Sequence, residues 1–181
     1  MRKLLHSEIS GLRLNPDDPA LSERHPVTLI LHNIRSLYNV GSIFRTADSA
    51  LLKEVVLCGF TPHPPRKEID KTALGATQTV PWRYFHKIED AINTLKSESN
   101  KILALEITDE QRNYQSITTG EFPLCLVLGN ELTGIDDDVL ALCDGSIEIP
   151  MYGTKHSLNV AVAAGIAAYE LVSVWRGSYK D

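Results

Sequence analysis

Near-continuous apolar runs recur along the chain, and polar stretches with helical spacing fall between them. VTLILH (residues 27–32), EVVLCGF (54–60), KILALEI (101–107) and PLCLVLG (123–129) are too short and too evenly apolar for surface helices. Each is predicted to be a strand covered on both faces, PLCLVLG a central one. VPWRYF and SIEIP are shorter extended pieces. VGSIFRTADSALL reads as a helix with Asn39 at its N-cap, residues 88–96 as a second and 136–143 as a short third. The stretch TPHPPRKEIDKTALGA opens as a proline-rich loop and closes in a short helix. A last helix is predicted over residues 157–175, with Ser157 capping it.

Strands alternating with helices predict an α/β fold: a parallel sheet with helices on both faces. Residues 1–26 read as an irregular lead-in, with turn chemistry in NPDDP and Pro26 just before the first strand. Residues 27–181 then form one domain. In such sheets ligands bind beyond the carboxyl ends of the strands. Three loops there carry polar residues: those after the first strand, after PLCLVLG and after SIEIP.

The final stretch, IPMYGTKHSLNVAVAAGIAAYEL, joins a Gly-bearing loop to a slim helix that is apolar nearly all round. Such a helix is buried or packs closely on another. Its small residues and Glu170 argue against a membrane span, and no basic segment followed by an apolar one opens the chain, so the expected location is the cytoplasm. The hydrophobic fraction of 43% and charged fraction of 23% exclude disorder as the default. Cys58, Cys125 and Cys143 are far apart and read as small core hydrophobes.

Charge changes the picture. The formal net charge is −5, yet residues 24–87 hold nine Lys and Arg against four Asp and Glu, which leaves the remainder at −10. A basic face matters more than the total for a phosphate-bearing partner. Arg35 and Arg45 lie within it, as does RKEIDK with Arg66, Lys67 and Lys71.

The common nucleotide and hydrolase motifs are missing: no GxGxxG after a strand, no GxxxxGK[ST], no HExxH and no GxSxG. The six histidines have no metal-ligand spacing, so no metal is expected. What the loops share is Gly beside amide or hydroxyl: Asn39 near Gly41, Gly129 with Asn130 and Glu131, and Gly153 before Ser157 and Asn159. Gly allows close backbone approach, and Asn side chains with backbone amides suit an uncharged heterocycle. Those residues predict a pocket for a small heterocyclic cofactor beside a basic patch.

On these residues the chain resembles the SpoU-type (TrmH-like) RNA ribose 2′-O-methyltransferases of the SPOUT superfamily. NIRSLYNVGSIFRTADS, LVLGNELTGI and IPMYGTKHSLNVAVAAGIAAYE match its three blocks in order. The resemblance implies a deep C-terminal trefoil knot, S-adenosylmethionine bound bent within it, an RNA substrate (tRNA or rRNA) and a homodimer joined through the slim last helix. It implies catalytic roles for Asn39, Arg45, Glu131, Ser157 and Asn159. It places the cofactor against Leu128, Gly129, Asn130, Ile149, Met151, Ser157, Leu158 and Asn159, and RNA against Arg35, Arg45, Arg66, Lys67 and Lys71. One departure stands out: Leu132 occupies a position where many relatives have Gly. Some rRNA-directed relatives carry a sizeable extra N-terminal domain where this chain has about 25 residues, which leans towards tRNA by analogy.

A guanidinium stays protonated in proteins, so Arg45 is expected to clamp a phosphate while the proton leaves through Glu131, water or that phosphate. Simpler readings exist. Arg45 can pair with Asp48 on a helix surface, Asn39 and Ser157 can be plain caps, and Glu131 can be a solvated loop carboxylate. Two competing functions are a catalytically silent RNA-binding module of the same fold and a cofactor enzyme acting on a small molecule.

Overall fold

A computed structural model describes residues 1–11, 14 and 23–177. The NPDDP turn lies outside the described residues. In chain order the elements are α1 (His6–Ser10), β1 (His25–His32), α2 (Leu37–Ser49), β2 (Leu52–Cys58), α3 (Lys67–Ala73), α4 (Ala76–Thr79), β3 (Trp82–Phe85), α5 (Ile88–Ser97), β4 (Lys101–Leu105), β5 (Leu124–Leu128), α6 (Asp137–Leu140), β6 (Ser146–Ile147) and α7 (Val160–Gly177). Among its described residues the lead-in contains one short helix, α1. Two 3₁₀ turns, Tyr114–Ser116 and Thr119–Glu121, precede β5.

Every pairing in the six-stranded sheet is parallel, in the order β3-β2-β1-β5-β4-β6. PLCLVLG is indeed central. Leu31 pairs with Leu57 on one side and Leu128 on the other, so β1, β2 and β5 end at one level. The strands are apolar throughout because helices cover both faces. Leu29, Leu31, Val55, Leu57, Leu126 and Leu128 pack towards α2, α3 and α7. Ile30, Val56, Cys58, Ile102, Cys125 and Val127 pack towards α5 and α6. Cys58 and Cys125 are fully buried core residues, and burial raises both thiols to about 12.

Both predicted caps move. Ser36, not Asn39, caps α2: its hydroxyl accepts from the Asn39 N–H at 3.3 Å. Asn159, not Ser157, caps α7: its Oδ1 accepts from Ala161 N–H at 2.9 Å and Val162 N–H at 3.3 Å, and its carbonyl accepts from Ala163 N–H at 2.9 Å. Ser and Asn both cap well, so composition alone does not choose between neighbours.

The last helix is also less buried than its composition predicts. Ala164, Ala167, Ala168, Leu171 and Val172 face the core. Val162, Ile166 and Tyr169 stand 51%, 37% and 54% exposed on the other side. By length and composition α7 meets the requirement for crossing a membrane, contrary to expectation. Its small face nevertheless packs against α2 and β1.

The basic half is thinner than its sequence. Arg83 on edge strand β3 is clasped by Glu54 at 2.6 Å and Glu98 at 2.9 Å. Arg24 donates to the carbonyls of Leu52 and Thr79. Neither guanidinium is free for a phosphate.

Candidate active site

The loops beyond β4, β5 and β6 enclose a cavity of about 720 Å³, within the usual range for small-molecule sites. All eight residues assigned to the cofactor from sequence line it: Leu128, Gly129, Asn130, Ile149, Met151, Ser157, Leu158 and Asn159. Leu105, Ile107, Ile135, Leu140 and Ala163 complete an apolar wall that sequence reasoning missed. Their signal was weak because they are ordinary apolar residues scattered over β4, α6, α7 and the loops between.

The β5 loop is a tight reversal. Asn130 and Gly134 exchange backbone hydrogen bonds of 3.0 and 2.9 Å. A Cβ on Gly129 would strike the Gly134 backbone and lie 2.6 Å from Ile135 Cγ1, which explains the glycine there. The left-handed position of the loop is Gly134, with φ +70°, not residue 132. Leu132 therefore needs no glycine backbone, and its side chain is 75% exposed on the pocket rim. Asn130 Oδ1 accepts from the N–H groups of Leu132 and Thr133 at 2.9 and 3.3 Å, and its Nδ2 donates to the Asn33 carbonyl at 2.8 Å. Asn130 thus braces the loop and ties it to the end of β1.

Glu131 is not a solvated loop carboxylate. It accepts from Arg35 N–H at 2.8 Å, Ser36 N–H at 3.0 Å and Asn39 Nδ2 at 3.0 Å. Partial burial alone would raise its pKa. The two backbone donors and the Asn39 amide outweigh that and hold the carboxyl below its ordinary value. Asn39 in turn accepts at Oδ1 from Asn159 Nδ2 at 3.1 Å. One chain of hydrogen bonds therefore joins the β1 loop, the β5 loop and the α7 N-terminus through Glu131, Asn39 and Asn159. Ser157 lies exposed on the pocket wall, and its hydroxyl has no partner among the described residues.

Arg45 is elsewhere. It lies six residues beyond Asn39 on α2, about 9 Å further along the helix axis. With Ser42, Thr46, Ser49, Lys71, Thr72 and Tyr169 it lines a second groove of about 450 Å³. The simpler reading that pairs it with Asp48 is not met among the described residues; Asp48 accepts instead from the Thr79 hydroxyl at 2.5 Å. The groove exists because α3 lies directly on α2. A Cβ on Gly41 would collide with Thr72 Oγ1 and the Ile69 carbonyl. Of the basic residues singled out, the structure brings together Arg45 and Lys71. Arg35 is exposed on the β1 loop, Arg66 and Lys67 at the start of α3. Among the described residues no group of three His, Cys, Asp or Glu is placed to hold a metal ion.

A parallel α/β sheet with a mixed polar and apolar pocket at its carboxyl edge, walled by three interlinked loops, defines the class of open α/β proteins that bind a ligand beyond their strand ends. The particular family follows from comparison: residues 26–169 match the model of the SpoU rRNA Methylase family, and the chain belongs to that family. It is 34% identical over 151 residues to a tRNA (guanosine(18)-2′-O)-methyltransferase of Escherichia coli K12, covering 83% of this chain and 65% of that one. It is 30% identical over 156 residues to a 23S rRNA (guanosine-2′-O-)-methyltransferase of Vibrio parahaemolyticus, covering 86% and 62%. The chain thus spans about two thirds or less of the length of these two relatives. Among solved structures, a TrmH/SpoU tRNA modifying enzyme of A. aeolicus superposes with TM-score 0.78 at 26% identity, covering 88% of this chain and 80% of that one. An AdoMet-bound rRNA methyltransferase of Sinorhizobium meliloti gives 0.76 at 28%, covering 83% and 59%.

Proposed function

We propose that this protein transfers a methyl group from S-adenosylmethionine to a ribose 2′-hydroxyl of tRNA or rRNA. The observation that carries the reading is the convergence of all eight expected cofactor residues on one cavity, adjoining the Glu131–Asn39–Asn159 chain. The cavity's residues suit the cofactor: an apolar wall for a heterocycle and ribose carbons, and loop backbone and amides for their polar edges. When bound there, the cofactor supplies an electrophilic methyl on a sulfonium, open to in-line attack by the ribose oxygen.

The chain's own groups do the positioning. Asn159 fixes the start of α7 beside the pocket, and Ser157 presents a free hydroxyl to a ligand. Arg45 binds a substrate phosphate through its planar guanidinium and stabilises charge developing on the attacking oxygen. Glu131 is a positioning residue: its oxygens are committed to three donors and its pKa is lowered, so it is a poor base. The proton leaves through water or the substrate phosphate.

Within one chain Arg45 opens into a groove separate from the cofactor cavity. Tyr169, on the exposed apolar face of α7, borders that groove. We therefore propose a homodimer joined across Val162, Ile166 and Tyr169, bringing the Arg45 groove of one copy to the cavity of the other. The deep C-terminal knot implied by the resemblance belongs to this reading. So do a catalytic domain of residues 27–181, an N-terminal appendage of residues 1–26 and a cytoplasmic location. Arg35, Arg66, Lys67 and Lys71 supply further phosphate contacts.

The test is transfer of labelled methyl from S-adenosylmethionine to separated tRNA and rRNA from cells lacking the gene. Label in one fraction, lost with Arg45→Ala, is the expected result. No label in either fraction with cofactor binding intact by calorimetry would leave a silent RNA-binding module. No transfer and no cofactor binding would overturn the reading.

A further inference from the structure

The loop after β2 carries an aromatic ring that the site does not use. Phe60 is 62% exposed, yet its backbone is held on both sides. Its own N–H donates to Asn33 Oδ1 at 3.2 Å. Before it, the Gly59 N–H donates to the Phe85 carbonyl at 3.1 Å. After it, Thr61 is 2% exposed; its hydroxyl donates to the Leu31 carbonyl at 2.9 Å and accepts from Ile34 N–H at 3.0 Å. A lone exposed apolar residue on a loose loop would need no explanation. Here the loop is tied into the end of β1 while the ring is left in water, where it adds little to folding.

The ties also set where the ring stands. The Asn33 carbonyl accepts from Asn130 Nδ2, so Asn33 links Phe60 directly to the pocket loop. The register of Leu57, Leu31 and Leu128 puts β2 two strands from β5. Phe60 follows Leu57 by three residues, as Glu131 follows Leu128. At Leu57 and Leu128 the strands stand roughly 10 Å apart, two strand spacings, and the loops carrying Phe60 and Glu131 leave from that one rim. Arg35 is exposed on the β1 loop that also carries Asn33, and Arg66 and Lys67, six and seven residues after Phe60 in the chain, are exposed at the start of α3, with Glu68 and Asp70 the acids on that same helix. A flat ring held in water on a braced loop, with the part-exposed Tyr84 donating its hydroxyl to the adjoining Gly59 carbonyl at 2.7 Å, is a good platform for one base.

The geometry points to Phe60 as a stacking platform for an unpaired base of the RNA substrate, next to the nucleotide whose ribose enters the site. This rests on the RNA methyltransferase reading above. A preset ring loses little freedom on binding, and base–aromatic stacking tolerates any base.

The experiment compares wild type, Phe60→Ala and Phe60→Trp in methyl transfer to hypomethylated tRNA and rRNA, with cofactor affinity by calorimetry. Phe60→Ala is expected to raise KM for RNA about tenfold. Its affinity for S-adenosylmethionine and the salt slope of RNA binding should be unchanged, because no phosphate contact is lost. Phe60→Trp should keep the wild-type KM, and its added fluorescence should be quenched by RNA. An unchanged KM in Phe60→Ala overturns the assignment. So does a loss of dimer in that variant by sedimentation, which would make the ring a contact between copies. Should wild type transfer no methyl at all, the functional reading fails by itself; stacking is then judged by quenching of Phe60→Trp with a mixed RNA oligonucleotide pool, and absence of quenching overturns it.

Discussion

Glu131 is held by three donors more than ninety residues away in sequence, two on the β1 loop and one on α2. Glu131→Gln keeps one acceptor oxygen and sets an NH₂ against a backbone N–H. The cost should be about 1–3 kcal/mol of stability, read by denaturant unfolding at neutral pH. The sign with pH follows from the lowered pKa. The carboxylate's contribution is fully present above its unfolded value and is lost as pH falls through its lower folded value. The stability gap between wild type and variant should therefore close only in the acid range. In the pH–rate profile the limb governing kcat should keep its midpoint in Glu131→Gln; a limb that disappears would return Glu131 to the role of base.

At the scale of elements, the contact between α2 and α3 is set by Gly41. Replacing it with Ala puts a methyl against Thr72 Oγ1 and the Ile69 carbonyl, and the carbonyl is backbone that moves only if α3 moves. Gly41→Ala should cost about 1–3 kcal/mol and weaken RNA retention through displaced Lys71, with cofactor affinity unchanged by calorimetry. The strands and the long helices were legible in the sequence because apolar runs and helical spacing are local. VTLILH, KILALEI and PLCLVLG each became a strand within two residues of its predicted bounds. The caps at Ser36 and Asn159 slipped by two or three residues because neighbouring Ser and Asn compete for one role. The pocket loops were legible as motifs. The Arg45–Lys71 groove was not, since it depends on how two helices pack, and Asn33 and Thr61 were not, since their partners lie on other strands.

At the scale of the molecule, α7 has two faces with different fates. The small face is buried on α2 and β1, while Val162, Ile166 and Tyr169 are left to water. Ile166→Glu places a charge in the middle of that apolar face. On the proposed homodimer, sedimentation should show a dimer for wild type and a monomer for the variant, and methyl transfer should fall with it if Arg45 serves the partner's cavity. A variant that stays dimeric and active would place the interface elsewhere.

The hydrogen-bonded chain from Glu131 through Asn39 to Asn159 has one more consequence. It joins the wall of the proposed cofactor cavity, at Glu131 and Asn159, to the β1 loop that carries Arg35, so whatever steadies the wall steadies the loop. Two ligands at opposite ends of such a link share one coupling free energy. Cofactor should then raise the affinity for RNA by the same factor by which RNA raises the affinity for cofactor. The two factors should shrink together when Asn39 is replaced by Ala.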